Sequence, residues 1–229
     1  MTKSKITDVF FDLDHTLWDF ETNSALTFHK IFQLHALPIN LPEFLDVYKA
    51  INTTYWKRYR LGEVDKEALR FGRLNDTFKI LNIDVSKPMI LKLSEAYIQH
   101  ITSFNHLFED TVTVLDYLQP KYNLHIITNG FNEVQHLKLS SSNIAQYFKT
   151  VTNSEMAGVK KPHRDIFNYA LNLANTTVEQ SVMIGDNFEA DIEGAVALGF
   201  GVIYFSESTA DNHLKVPQIQ KLIELKNHL

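Results

Sequence analysis

Phe10-Phe11-Asp12-Leu13-Asp14-His15-Thr16-Leu17 is an apolar run that ends abruptly in two carboxylates. Val9, Phe10 and Phe11 read as a strand buried on both faces, because a half-buried strand would alternate with polar residues. Asp12 and Asp14 are two positions apart, so an extended chain turns both to one side. Bringing two acids to the end of a buried strand is costly unless something cationic meets them. The expectation is a metal-assisted active site at the carboxyl end of a parallel sheet, where open α/β proteins bind their ligands. Taken alone, the same stretch also fits one Asp capping a helix and the other solvated.

The residues that follow change character. Only Gly62 and Gly72 of the eight glycines precede Gly130. Phe44, Val47, Tyr48 and Ile51 fall at helical spacing behind Pro42 in a first turn. Phe71, Leu74, Phe78 and Leu81 mark a second helix with Asp65 as its N-cap. Ile90, Leu93, Tyr97 and Ile101 mark a third behind Ser86 and Pro88, and Ala25, Phe28 and Phe32 a fourth. Residues 18–105 are therefore expected to form a helical cap of about four helices, inserted after the first strand and able to act as a lid.

From about residue 106 the pattern alternates between helix and strand. Apolar strands are expected at Leu124–Ile127, Val182–Ile184 and Val202–Phe205. Helix faces are expected on Thr111–Leu118 and Ile166–Leu173, with a helix over Ala190–Leu198 and a short amphipathic one over Ile219–Leu225. The fold class is α/β: a doubly wound, Rossmann-like parallel sheet formed by 1–17 and 106–229, with the helical cap domain inserted.

Composition narrows the function. The chain has 229 residues, 45% hydrophobic and 21% charged, with a formal net charge of −5 and no long basic run. Nucleic-acid polymers need clustered Lys and Arg and are not expected partners; single nucleotides stay open. The absence of cysteine removes disulfides, thiol catalysis and zinc-thiolate sites. Met1 to Lys5 carry no apolar signal core, and no segment is long enough to span a bilayer, so a cytoplasmic protein without a membrane partner is expected. Nothing in the pattern sets an oligomeric state.

Further apolar strands or loops stop in chemically suggestive residues: Thr128-Asn129-Gly130, Gly158-Val159-Lys160-Lys161-Pro162, and Gly185-Asp186-Asn187 followed by Asp191. Singly, the first could be a plain turn, the lysines a solvated pair and Asp186 a helix cap. Their joint order is another matter. Asp12-Leu13-Asp14-His15-Thr16, Thr128-Asn129-Gly130, Lys161-Pro162 and Gly185-Asp186 with Asp191 resemble the four motifs of the haloacid dehalogenase-like hydrolase superfamily, over nearly the whole chain. The insertion resembles that superfamily's first type of helical cap.

The resemblance implies a set of roles. Asp12 would attack phosphorus and form an aspartyl-phosphate. Asp14 would protonate the leaving oxygen and then deprotonate the attacking water. Mg²⁺ would bind Asp12, Asp186 and the Asp14 carbonyl. Thr128, Asn129 and Gly130 would hold the phosphate oxygens, and Lys161, the lysine directly before proline, would offset developing charge. Asp191, Asn187 and Thr16 would stand behind these groups. Dehalogenases of the superfamily lack the second acid, because a halide leaves without a proton, so the Asp12/Asp14 pair favours phosphoryl transfer.

The substrate expected is a small phosphate ester. Tyr55-Trp56-Lys57-Arg58-Tyr59-Arg60 is dense in rings and cations that could stack on a base or pair with an anion, although Trp56 and Tyr59 also suit the core of a helical bundle. Phe20 follows the first motif closely enough to wall a pocket. Ile126 to Phe131, Gly158 to Pro162 and the Trp56/Tyr59/Gly62 pattern resemble the bacterial pyrimidine 5′-nucleotidase branch. The N-acylneuraminate-9-phosphatase branch, a sugar-phosphate alternative, shares much of it. A receiver-like phospho-acceptor switch is the non-enzymatic alternative, disfavoured by the D-x-D-x-T pattern and the large insertion.

Overall fold

β1 (Asp8–Phe11) is buried at every position. In the computed structural model, which describes residues 5–208 and 212–229, the polar amino end Met1–Ser4 lies outside the described residues. The chain divides into two compact units, Met1–Phe20 with Asn105–Leu229, and Glu21–Phe104.

The second unit is helical: α1 (Phe20–Leu34, which starts in the first unit), α2 (Leu41–Arg60), α3 (Lys66–Ile80) and α4 (Lys87–His100). Proline stands in the first turns of α2 and α4, where its missing N–H costs no helical bond. The Asp65 carboxylate accepts from Ala68 N at 2.7 Å and caps α3. Aromatic rings fill the centre: Phe28 lies 4.8 Å from Phe44, 4.7 Å from Tyr48 and 4.8 Å from Tyr97. The buried Arg73 guanidinium donates to Asn52 Oδ1 at 2.9 Å and lies 4.9 Å from the Tyr97 ring centre. An amide oxygen and ring faces thus meet a buried cation in place of a carboxylate.

The first unit continues with α5 (Thr111–Leu118), β2 (Asn123–Thr128), α6 (Asn132–Ser141), β3 (Phe148–Asn153), α7 (Ser154–Ala157), α8 (Arg164–Ala174), β4 (Ser181–Gly185), α9 (Gly194–Val196), β5 (Gly201–Phe205) and β6 (Gln218–Ile219). The strands form one parallel sheet in the order β3-β2-β1-β4-β5-β6. The sequence of connections reverses between β1 and β4, so the crevice beyond their carboxyl ends is the ligand-binding place of this topology. Phe10, Ile127 and Met183 pack on Ile166, Phe167 and Ala170 of α8 and on Ile192 and Ala195. Phe11, one residue along and so on the opposite face, lies edge-on to Phe148 at 6.5 Å.

Several segments differ from the sequence expectation, α6 among them, since no helix was expected over 132–141. The helix expected over 190–198 begins earlier, as a wide π turn at Phe188–Glu193 that runs into α9. That wide turn carries Asp191 inward. The helix expected over 219–225 is replaced by β6, which extends the sheet at Gln218–Ile219, and a 3₁₀ turn at Leu222–Asn227. Ile219, Leu222 and Leu225 recur every three residues, the period of a 3₁₀ helix rather than an α-helix. β3 was not anticipated, because its sequence, FKTVTN, is largely polar and it lies at the sheet edge.

Candidate active site

The parallel register sets the site. Phe11 is level with Ile126 of β2 and Ile184 of β4, and Asp12 N donates to Ile184 O at 2.9 Å. Asp12, Thr128 and Asp186 therefore leave three adjacent strands at neighbouring levels. The fourth component arrives from a loop. Gly158 ends α7 in the left-handed conformation (φ 72°), and the chain then brings in Lys161. Asn129 grips this lysine by its backbone, accepting from Lys161 N at 2.8 Å and donating to Lys161 O at 3.0 Å.

Lys161 is 2% exposed, and its ammonium lies 2.7 Å from Asp12 Oδ1 and 2.6 Å from Asp191 Oδ1, with a third bond to Ile127 O at 2.6 Å. Asp191 is held from its other oxygen by Asn187 N at 3.0 Å. Thr16 donates to Asp186 Oδ1 at 3.0 Å. Carboxylate oxygens of Asp12, Asp186 and Asp191 lie within 4.8 Å of one another. Three carboxylates thus face one ammonium.

This imbalance appears in the titration of the groups. Burial, reinforced by the Asp191 and Asp186 carboxylates and opposed by Lys161, pushes Asp12 up to about 8. Burial and Asp191 push Asp186 up to about 7, against Thr16 and Lys161. Burial pulls the Lys161 ammonium down, but Asp12 and Asp191 outweigh it and hold it above the usual lysine range. A divalent cation with hard oxygen ligands would relieve the excess negative charge, and the donor set suits Mg²⁺.

Each expected residue has a definite place. Asp12, Asp186, Asp191, Lys161, Thr16 and Asn187 come together as described. Thr128 Oγ1 accepts from Gly130 N at 3.0 Å, which leaves the hydroxyl proton to donate. The Asn129 side chain is spent on Lys161, so only its backbone remains for a phosphate. Phe20 is buried against His15, ring centres 4.8 Å apart. Tyr59 is buried in the helical unit, edge-on to the half-buried Trp56 at 5.7 Å. Two residues were missed. Lys138 Nζ lies 2.5 Å from Asp14 Oδ1, and Gln135 Nε2 donates to Asp14 Oδ2 at 3.3 Å. The available signal was helical phase: Gln135 and Lys138 share the face of α6 that carries Val134 and Leu139.

The profile of the family described as haloacid dehalogenase-like hydrolase matches residues 9–205. "Pyrimidine 5′-nucleotidase YjjG" of Escherichia coli is 30% identical over 199 residues, covering 86% of this chain and 85% of its own. A "Glyceraldehyde 3-phosphate phosphatase" of Methanothermobacter thermautotrophicus is 30% identical over 236 residues, covering 96% and 98%. The crystal structure of the Bacillus subtilis HAD-hydrolase YfnB, described as bound to magnesium, superposes with a TM-score of 0.88 at 25% identity and covers 99% of each chain.

Proposed function

The chain belongs to the haloacid dehalogenase-like hydrolase family, and we propose that within it the chain is a Mg²⁺-dependent, cytoplasmic phosphatase for a small phosphate monoester, a pyrimidine nucleoside 5′-monophosphate. The observation that carries this reading is the pair of unlike acids. Asp12 is buried beside Lys161, while Asp14, two residues on, keeps 19% of its side chain exposed. An alkoxide needs a proton to leave and a halide does not, so a second acid has work only when the leaving atom is oxygen.

Asp12 attacks phosphorus as the ester P–O bond breaks, forming an aspartyl-phosphate. The Asp14 carboxyl gives its proton to the leaving oxygen and regains one from the water that cleaves the intermediate. The Thr128 hydroxyl and the backbone N–H groups beyond it hold phosphate oxygens. Lys161 offsets the charge that builds on them. Asp12, Asp186 and the Asp14 carbonyl would hold Mg²⁺, which when bound neutralises part of the phosphate charge. Asp191, Asn187 and Thr16 keep these ligands and Lys161 in place.

The E. coli relative supports the nucleotide substrate. A sugar phosphate is the second reading, supported by the relative named for glyceraldehyde 3-phosphate. The test is phosphate release from dUMP, dTMP, UMP, AMP and sugar phosphates, with Mg²⁺ and with a chelator. Metal-dependent release, fastest from the pyrimidine nucleotides, is expected. Preference for a sugar phosphate overturns the substrate, and no turnover of any ester overturns the activity.

A further inference from the structure

We propose that Lys138 and Gln135 are positioning residues that hold the Asp14 carboxyl in its working orientation. This rests on the reading of Asp14 as the acid for the leaving oxygen. Each oxygen of Asp14 has its own partner, Lys138 Nζ at 2.5 Å from Oδ1 and Gln135 Nε2 at 3.3 Å from Oδ2. Both partners come from α6 and are three residues apart, so one helix face grips the carboxyl at both oxygens.

The grip is itself held. Lys138 is 3% exposed, and its ammonium lies 4.3 Å from the Trp18 ring centre and 5.6 Å from that of Phe20. Trp18 bridges back to Asp14, so the aromatic slot and the acid belong to one turn of chain. Gln135 reaches Asp14 only because residue 130 is glycine: a Cβ there would overlap the Gln135 amide. Burying a lysine and shaping a loop around a glutamine is a substantial commitment for a carboxylate that could otherwise sit in water. A carboxyl free to rotate spends most of its time away from the leaving oxygen, and orientation is a large part of what a general acid contributes.

The reaction separates this role from simple packing. An alkyl phosphate needs its leaving oxygen protonated as the P–O bond breaks, whereas 4-nitrophenol leaves as a stable anion. The kcat/KM reports this phosphoryl transfer from ester to Asp12, before the intermediate is hydrolysed. Lys138→Met, which keeps the length packed against Trp18, is expected to lower kcat/KM for dUMP about 100-fold and for 4-nitrophenyl phosphate less than about 5-fold. Lys138→Arg should recover much of the dUMP rate. Gln135→Ala should show the same selectivity at smaller size, and it carries the test if Lys138→Met does not fold. An equal loss on both esters, or an unchanged or raised rate on dUMP, overturns the proposal. Asp14→Asn separates the two levels of the argument. If Asp14→Asn shows the leaving-group gap and the α6 variants do not, the positioning role falls alone. If Asp14→Asn lacks the gap as well, the reading of Asp14 as acid falls with it.

Discussion

Asp12→Asn separates the chemistry of this residue from its place in the fold. Asn keeps the shape but cannot form the acyl phosphate, so phosphate release should fall at least about 10³-fold. The same change removes one of three carboxylates that face a single ammonium, so the melting temperature at pH 8 should hold or rise. A folded variant with near-native turnover would reject Asp12 as the nucleophile. Lys161→Met is the converse experiment. Asp12 and Asp191 would stay buried, with less than one tenth of their surface exposed, and would lose the ammonium they share. Removing one partner of a buried ion pair costs about 3–5 kcal/mol. Urea denaturation at pH 8 should show a loss of that size, and adding Asp191→Asn should return part of it. Additive losses in the double variant would mean that the two side chains do not interact.

Element geometry sets where Asp191 can stand. The wide turn at Phe188–Glu193 swings its carboxylate over β4, and a Cβ on Gly185 would overlap that carboxylate. β4 is hydrogen-bonded on both sides and cannot yield, so Gly185→Ala must displace Asp191 from Lys161 and Asn187. The expected cost is about 1–3 kcal/mol by denaturation, with a matching fall in phosphate release. Native stability and turnover together would show that Asp191 can move without consequence. The same elements show what the sequence could reveal. The central strands were legible because unbroken apolar runs have one good explanation, and the acids at their ends because charge does not follow such a run without a purpose. Asp12 and Asp186 could be picked out for that reason, whereas Thr128 and the loop residue Lys161 were marked by their resemblance to the superfamily's motifs. Lys138 had only helical phase to mark it, and a lysine on a helix reads as solvated until the helix is placed against Trp18. The turn at 188–193 was unreadable because a π turn differs from an α-helix by one residue of phase. β3 was unreadable because an edge strand needs little apolar sequence.

Across the whole molecule, the unrelieved charge at the site should couple stability to pH and to metal. Asp12 titrates at about 8 and Asp186 at about 7 in the fold, against an ordinary value of 3.8. Between the ordinary and the shifted values the folded chain holds protons that the unfolded chain has lost. Unfolding free energy therefore falls as pH rises through 7 and 8, and the contribution is fully present only below about 4. His125 works in the opposite direction. Burial holds it below the usual histidine range despite Asp8, so it favours the fold as pH rises toward 6.5 and adds no slope above that. The clean window is thus pH 6.5 to 8.5, where metal-free protein should melt at progressively lower temperature. Asp186→Asn should flatten this slope. Mg²⁺ requires the ionised carboxylates and binds the fold, so it should raise the melting temperature more at pH 8 than at pH 6.5. Thermal melts with and without a chelator at the two pH values measure both effects. A metal-free protein more stable at pH 8.5 than at 6.5 would show that Asp12 and Asp186 ionise in the fold as they do in water.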